Sequence, residues 1–187
     1  MRIVGGRLGG RTVVSPKSQA IRPTSDRLRE SLFNILMHAY GDPISGARAL
    51  DLFAGTGALG IEALSRGAAF ALFVDDGAEA RALLRENVVS LGLGGTSKVF
   101  RRDATKLGPA YPVEPFSLAF LDPPYGQKLA ENALTSAHEG AWFTPDALVV
   151  VEEAVKSAFA APEGFTELER RRYDDTEFVV LRFVTPP

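Results

Sequence analysis

The sequence of 187 residues contains no cysteine and only two histidines, His38 and His138. The absence of cysteine excludes disulfide bonds and thiolate metal ligands. With two histidines, neither a zinc centre nor a serine–histidine–aspartate hydrolase is expected, and we expect no metal.

Long apolar runs are also lacking, because a charged residue interrupts every stretch that approaches the roughly 20 residues of a membrane span. The amino terminus, MRIVGGRLGGR, has no apolar stretch of the kind found in secretory signals. We therefore expect a cytoplasmic protein without a membrane segment, and we expect it to be a monomer.

The composition is that of a globular domain, with 45% hydrophobic and 24% charged residues. The net charge of −2 is distributed unevenly, since residues 1–30 carry a formal charge of +5 and the rest of the chain carries −7. A basic arm on an acidic body fits a polyanionic partner, and it fits equally a solvated, arginine-rich β-ribbon.

Hydrophobic patterning predicts strands that alternate with helices, which is typical of an α/β fold with a mostly parallel sheet covered on both faces. A glycine-rich β-ribbon over residues 1–21 precedes this domain of residues 22–187, and a terminal hairpin adds an antiparallel strand at the sheet edge. The predicted strands are 47–53, 70–75, 99–102, 116–121, 147–152, 167–173 and 177–184. The first predicted helix begins at the N-cap cluster of residues 24–26. Three further helices are predicted over residues 57–65, 78–91 and 129–139.

A glycine loop joins the first strand to the helix that follows it. Its sequence is Asp51-Leu-Phe-Ala-Gly55-Thr-Gly57-Ala-Leu-Gly60, and such loops let a ligand approach the backbone closely. The spacing alone also fits a dinucleotide, and Asp75 at the end of the next strand suits the ribose hydroxyls of either cofactor. Asp51, however, suits an ammonium group and would repel a pyrophosphate. S-adenosylmethionine therefore fits better.

A second motif, Asp122-Pro123-Pro124-Tyr125, follows the apolar strand 116–121. Two prolines fix the backbone just beyond a strand end, where the ladder requires no N–H group. The motif therefore presents the Asp122 carboxylate, the Pro123 carbonyl and the Tyr125 ring in one fixed arrangement.

These two motifs resemble those of S-adenosylmethionine-dependent methyltransferases that modify exocyclic amino groups of nucleobases. With RPTSDRLRESLFNIL and the ribbon before it, the chain is similar from residue 1 to about 184 to the bacterial 16S rRNA guanine-N2 methyltransferases of the RsmD type. The resemblance implies a Rossmann-like class I methyltransferase fold with a seven-stranded sheet. It also implies a substrate guanine in 16S rRNA, presented in the small ribosomal subunit or an assembly intermediate.

An exocyclic amino nitrogen is a poor nucleophile, because its lone pair is delocalised into the ring. Hydrogen bonds to the Asp122 carboxylate and the Pro123 carbonyl would direct that lone pair at the methyl group, and Tyr125 would stack on a flipped base. These three residues are the predicted catalytic set. The predicted cofactor contacts are Asp51, Phe53, Gly55, Gly57, Asp75, Asp103 and Ala104, with S-adenosylhomocysteine as product.

The predicted RNA contacts are Arg2, Arg7, Arg11, Lys17, Arg22 and Arg27. The first four lie in a segment with almost no apolar content to bury, so we expect phosphate contact and not packing to explain them. Arg22 and Arg27 flank the first helix and fit either an RNA contact or closure over the cofactor.

Three alternatives stay open at this point. The same amino-group chemistry serves adenine N6 in DNA or RNA, and the glycine loop alone also serves a dinucleotide-dependent oxidoreductase. A non-enzymatic RNA-binding module is the third alternative.

Overall fold

The computed structural model describes residues 1–14, 16 and 24–185. Helices and strands alternate along this part of the chain, as the hydrophobic pattern predicts. The helices are α1 (Asp26–Ala39), α2 (Ala58–Ser65), α3 (Ala78–Ser90) and α4 (Leu129–Glu139). The strands are β1 (Arg48–Leu52), β2 (Phe70–Val74), β3 (Ser97–Phe100), β4 (Phe116–Leu121), β5 (Phe143–Ala154), β6 (Phe165–Tyr173) and β7 (Thr176–Phe183).

The strands form one seven-stranded sheet in the order β3-β2-β1-β4-β5-β7-β6. Strands β1 to β5 are parallel, and β7 runs antiparallel to β5. The strand order reverses between β1 and β4, and in such sheets ligands bind beyond the carboxyl ends of the strands at this switch point. The residues that follow β1 and β4 are those of the two sequence motifs.

Each face of the sheet carries its own apolar core. One core contains the buried residues Leu32, Phe33 and Leu36 of α1 and lies on the side of α2 and α3. The other contains α4 and Trp142, whose indole N–H donates to the Gly108 carbonyl at 2.8 Å. The predicted α/β class with helices on both faces is confirmed.

The carboxy-terminal part of the sheet differs from the prediction at the start of β5. Strand β5 starts at Phe143, four residues before the predicted start, because Pro145 and its exposed polar neighbours lack the apolar pattern of a buried strand. As predicted, a terminal hairpin with antiparallel pairing lies at this edge of the sheet, with β6 outermost and β7 between β5 and β6. The continuous apolar run of β7 is typical of such an interior strand.

The amino-terminal ribbon, residues 1–14, is held onto the helices and is not merely a solvated arm. It has one antiparallel bridge, between Arg2 and Thr12. Ile3, Leu8 and Val13 are at most 6% exposed and belong to the core beneath α1 to α3. The expectation that this segment has almost nothing to bury is therefore wrong. The proposed boundary after residue 21 lies outside the described residues.

The loop of the ribbon, residues 5–11, packs against the carboxy-terminal ends of α2 and α3, whereas Arg2 contacts Asp26 at the start of α1. The Ser65 carbonyl, at the end of α2, accepts from the Arg7 N–H at 2.9 Å. The Arg11 side chain donates to the carbonyl of Ser90, the last residue of α3, at 2.9 Å. Since each helix begins at the carboxyl edge of the sheet and runs back, these contacts lie near the amino edge.

A buried ion-pair cluster connects the ribbon, α1 and α2. Glu62 and Arg29 are both inaccessible to solvent and lie 3.1 Å apart, and Arg29 also pairs with Asp26. Arg66 donates to the same Glu62 carboxylate at 2.9 Å. Arg29 therefore belongs to the interior, and its charge does not add to the basic surface.

None of the helices in residues 1–14, 16 and 24–185 is long and apolar enough to cross a membrane.

Candidate active site

A cavity of about 660 Å³ opens at the carboxyl ends of β1, β2 and β4. The glycine loop after β1 and the proline loop after β4 both line it. Its acidic lining side chains are Asp51, Asp75, Asp76, Glu79, Asp103 and Asp122. Among the described residues, no lysine or arginine lines this cavity.

The glycine loop depends on left-handed backbone. Gly57 precedes α2 with a φ of +82°, and a Cβ there would lie 2.3 Å from Leu84 Cδ1. A Cβ on Gly60 would lie 2.4 Å from the Phe73 ring. Phe53 has a φ of +57° although it carries a side chain. The strained turn at Phe53 directs the chain along the cavity wall.

Asp51 lies beneath the glycine loop and is 1% exposed. Its Oδ2 accepts the Gly60 N–H at 2.9 Å. Burial raises the pKa of Asp51 to about 8, against a smaller lowering by the Gly60 hydrogen bond, and the charge of Asp75 adds to the rise. Asp51 is therefore mostly protonated at neutral pH until a cation approaches it.

Asp75 is the first residue after β2 and supports the loop from the other side. Its Oδ2 accepts the Gly55 N–H at 3.0 Å, and its Oδ1 accepts the Gly77 N–H at 2.8 Å. Each carboxylate oxygen has a second lone pair. Asp75 can therefore hold the loop and still accept hydrogen bonds from a ligand in the cavity.

Asp103 follows β3 and is exposed at the cavity wall. Its Oδ1 accepts from the Thr105 hydroxyl at 2.7 Å and from the Thr105 N–H at 2.9 Å. These two hydrogen bonds lower the pKa of Asp103. The side chain is thus a fixed, ionised acceptor.

The proline loop is fixed at both ends. Pro123 is buried, and the Tyr125 hydroxyl lies 3.3 Å from the Thr176 hydroxyl. Glu153 of β5 accepts the Gly126 N–H, and burial raises the pKa of Glu153. The loop that carries Asp122 therefore rests on β5 and β7.

Most of the predicted site residues come together in the cavity. Its lining includes Asp51, Phe53, Gly55, Asp75, Asp103, Asp122, Pro123 and Tyr125. Gly57 acts as the N-cap of α2 and Ala104 is buried in the core, so neither is part of the lining.

The four predicted RNA contacts that the structure describes are not part of the cavity lining. Arg2, Arg7, Arg11 and Arg27 are exposed. Lys17 and Arg22 lie outside the described residues.

Two polar residues at the site were not singled out from the sequence as site residues. Thr24, interpreted only as part of a helix cap, lines the cavity and is 5% exposed. Its hydroxyl contacts Asp122 at 3.1 Å and Glu152 at 2.7 Å. The signal for Glu152 was an acidic residue at the end of a buried strand, which is the same signal that identified Asp122.

A family model described as "Conserved hypothetical protein 95" matches residues 1–182. The ribosomal RNA small subunit methyltransferase D of Escherichia coli (strain K12) is 35% identical over 172 residues, which cover 92% of this chain and 84% of the relative. The protein of the same name from Haemophilus influenzae is 34% identical over 173 residues, which cover 91% of this chain and 88% of the relative.

Solved structures show the same architecture. A structure from Escherichia coli, described provisionally as methyltransferase yhhF, matches with a TM-score of 0.84 at 29% identity and covers 100% of this chain and 99% of that one. TrmN from Thermus thermophilus is 24% identical with a TM-score of 0.67, covers 84% of this chain and 48% of that chain, and shows the shared fold alone. The fold is that of the Rossmann-like class I methyltransferases, and the chain belongs to the "Conserved hypothetical protein 95" family, which is the RsmD-type methyltransferase family.

Proposed function

We propose that this protein transfers a methyl group from S-adenosylmethionine to the exocyclic N2 of a guanine in 16S rRNA. The observation that carries the proposal is that the glycine loop and the Asp122–Tyr125 loop line one cavity. This common lining supports the proposal, which requires the cofactor and the target amino group to meet in one space. The names of the relatives from Escherichia coli and Haemophilus influenzae support small-subunit rRNA as the substrate.

The charge of the cavity supports this cofactor over a dinucleotide. Besides the buried Asp51, five acidic side chains and no described lysine or arginine line the cavity, and such a lining repels a pyrophosphate. S-adenosylmethionine has an ammonium group and a sulfonium centre and lacks phosphate. A volume of about 660 Å³ lies within the range of small-molecule sites.

The residues around the glycine loop would hold the cofactor. Asp75 offers its remaining lone pairs to the ribose hydroxyls, Asp103 accepts from the adenine amino group, and Asp51 lies below the loop for the ammonium end. Gly55 and Phe53 would form the adjoining wall. Gly57 and Ala104 do not line the cavity and would take part in cofactor binding only through their backbone atoms. When bound, S-adenosylmethionine supplies a methyl group attached to a positively charged sulfur.

The proline loop would orient the target nitrogen. Asp122 and the Pro123 carbonyl accept its two N–H groups, so that the lone pair of the nitrogen is directed away from the ring plane. Tyr125 stacks on the base, which leaves its surroundings to enter the cavity. Catalysis by these residues is a matter of orientation and electrostatics.

The RNA would contact the exposed arginines of the ribbon and of α1. Arg2, Arg7, Arg11 and Arg27 are available for phosphates, and Lys17 and Arg22 complete the proposed set. The substrate is the small subunit or an assembly intermediate in the cytoplasm, and the protein acts as a monomer without a metal.

Two experiments test the proposal. Calorimetry with S-adenosylhomocysteine and with NADH should show binding of the first alone. Incubation of undermethylated small ribosomal subunits with radiolabelled S-adenosylmethionine, followed by nucleoside analysis, should yield N2-methylguanosine. The variant Asp122→Ala is the control, because it should abolish transfer while its cofactor affinity stays within a few-fold.

The other outcomes identify the alternatives. N6-methyladenosine as the product would move the assignment to adenine. Binding of NADH without methyl transfer would indicate an oxidoreductase, and RNA binding without cofactor binding would indicate a non-enzymatic module.

A further inference from the structure

Thr24 lies between two carboxylates at the carboxyl edge of the sheet. Its hydroxyl oxygen is 2.7 Å from Glu152 Oε2 and 3.1 Å from Asp122 Oδ2. Leu121 pairs with Val151 in the parallel register of β4 and β5. Asp122 and Glu152 are the residues that follow this pair, so neighbouring strands place them side by side beneath the start of α1.

Thr24 can donate only one hydrogen bond, although two carboxylates lie beside its hydroxyl. A threonine hydroxyl donates one proton and accepts through two lone pairs. With both carboxylates ionised, it can donate to only one of them, and the shorter distance assigns that proton to Glu152. If Asp122 takes up a proton, it can donate that proton to the Thr24 oxygen. Each of the two contacts in the row Asp122–Thr24–Glu152 then has a donor.

We propose that Thr24 and Glu152 are positioning residues for Asp122: Glu152 orients the Thr24 hydroxyl, and the Thr24 oxygen accepts a hydrogen bond from Asp122 when Asp122 takes up a proton. This inference rests on the proposed function. In the transfer step the nitrogen lone pair would form a bond to the methyl carbon while the carbon–sulfur bond breaks, and the electron pair of that bond goes to sulfur, which leaves as S-adenosylhomocysteine. An N–H bond then breaks, and its electron pair stays on nitrogen. The proton passes to Asp122, and Thr24 keeps its own proton directed at Glu152. The proton on Asp122 later leaves to solvent.

Other ionisable groups near Asp122 also influence its titration. Arg29 of α1 is bound to Glu62 and Asp26, away from the cavity lining. The remaining ionisable groups that the described residues place around the cavity, or behind it on β5, are Asp51, Asp75, Asp76, Glu79, Asp103, Tyr125 and Glu153. Substitution of Glu152 leaves all of these in place, so a change in titration is assigned to Glu152.

The first experiment compares Thr24→Val with Thr24→Ser in methyl transfer to small ribosomal subunits. Valine keeps the shape and removes the hydroxyl, whereas serine keeps the hydroxyl. We expect kcat to fall about 10–100-fold in Thr24→Val, in line with the loss of orientation of one catalytic group. Thr24→Ser should retain kcat within about threefold, and S-adenosylhomocysteine affinity should stay within twofold in both variants. Thr96→Val, in the turn before β3, is the matched control.

The second experiment measures kcat against pH for Glu152→Gln. Because activity requires ionised Asp122, kcat falls as the pH drops through the pKa of Asp122. A neighbouring negative charge raises that pKa, and its removal lowers it. We therefore expect the acid limb of the profile to move to lower pH by about 0.5–1 unit, with Glu139→Gln on the surface of α4 as the control.

The two arms keep this inference separable from the proposed function. If the wild-type protein transfers no methyl group to rRNA, the proposed function fails. If the wild type is active but the acid limb of Glu152→Gln is unmoved, or Thr24→Val turns over as the wild type does, the positioning role is overturned. Glu152→Gln needs no result from Thr24→Val, so a folding defect in one variant leaves the other decisive.

Discussion

Two carboxylates in this protein each accept hydrogen bonds from two backbone N–H groups, yet their surroundings differ. Glu62 binds the N–H groups of Val4 and Gly5, both at 2.9 Å. Asp75 binds those of Gly55 and Gly77 at 3.0 and 2.8 Å. In both places a carboxylate fixes a glycine-containing segment that has little regular structure of its own.

The difference lies in what else each carboxylate meets. Glu62 is fully buried and pairs with Arg29 and Arg66, so its acceptor capacity is used inside the protein. Asp75 lies at the cavity, and no lysine or arginine in the described parts of the chain forms a salt bridge with it. The same local device therefore serves stability at Glu62 and leaves a charge for a ligand at Asp75.

The largest effect on stability is expected from Glu62→Ala. The substitution leaves the buried Arg29 with only the half-exposed Asp26 as a partner, and breaking a buried ion pair in this way costs about 3–5 kcal/mol. For a chain of this size the melting temperature should fall by about 6–20 °C, as measured by circular dichroism. Cofactor affinity of the folded protein should stay within twofold. Exposed Glu86→Ala is the control. An unchanged melting temperature in Glu62→Ala would show that the buried ion pairs of Glu62 do not stabilise the fold.

Asp75→Ala should show the reverse pattern. The loss of a charged acceptor for the ribose weakens S-adenosylhomocysteine binding by about 1.5–3 kcal/mol, which calorimetry measures directly. Glu86→Ala, at an exposed position of α3 outside the cavity lining, is the control. Unchanged affinity in Asp75→Ala would remove this residue from the cofactor site and erase the distinction from Glu62.

Proton release on cofactor binding tests the proposed role of Asp51. Because burial raises its pKa to about 8, Asp51 is protonated at pH 7 in the free protein. If the ammonium end of the cofactor lies beside it, binding ionises Asp51 and releases up to about one proton. Calorimetry at pH 7 in buffers of different ionisation enthalpy measures this number. Asp51→Asn should abolish the release, and zero release in the wild type would contradict the ammonium contact.

The same shift predicts how stability depends on pH. The folded protein keeps the proton of Asp51 at pH values where the unfolded chain, with a pKa near 3.8, has lost it. Stability of the cofactor-free protein therefore decreases as the pH rises from about 4 to 8. Urea unfolding at pH 5 and pH 7.5 should show this decrease in the wild type and a smaller one in Asp51→Asn.

The smallest effect per residue is expected at the ribbon. If Arg2, Arg7 and Arg11 each contact a phosphate, their joint replacement by alanine should lower RNA affinity. The slope of log K against log salt should shrink by about 2–3 units. Their side chains are exposed, so the melting temperature should hardly change. A lower melting temperature with an unchanged salt slope would show that these arginines serve packing, as Arg29 does.

The fold and the positions of the cavity aspartates could be predicted from the sequence. Continuous apolar runs identified the strands of the parallel sheet, and position alone marked Asp51, Asp75, Asp103 and Asp122, because each lies at or just after a strand end. What each aspartate binds in the folded chain was not readable. Asp75 meets the Gly55 and Gly77 N–H groups only once the left-handed turns have formed.

The Glu62 cluster could not be predicted. Helix α2 is apolar on all sides, so Glu62 gave no amphipathic pattern that would mark it as buried. Its burial depends on the ribbon, whose three buried residues are dispersed among glycines and arginines without a period of two or 3.6. Arg29 was counted with the basic surface for a similar reason, since the partners that bury it, Glu62 and the Arg2 carbonyl, are distant in sequence.

The attachment of Arg7 and Arg11 at the carboxy-terminal ends of α2 and α3 sets the distance between these arginines and the cavity. At 1.5 Å per residue, the 8 residues of α2 and the 13 residues of α3 span about 12 and 20 Å. Arg7 and Arg11 therefore contact the opposite ends of these helices from the ends that line the cavity. If the RNA contacts these arginines as proposed, it must present a flipped base and a phosphate backbone at about this separation. The helix lengths would then select for structure in the RNA before any base is read.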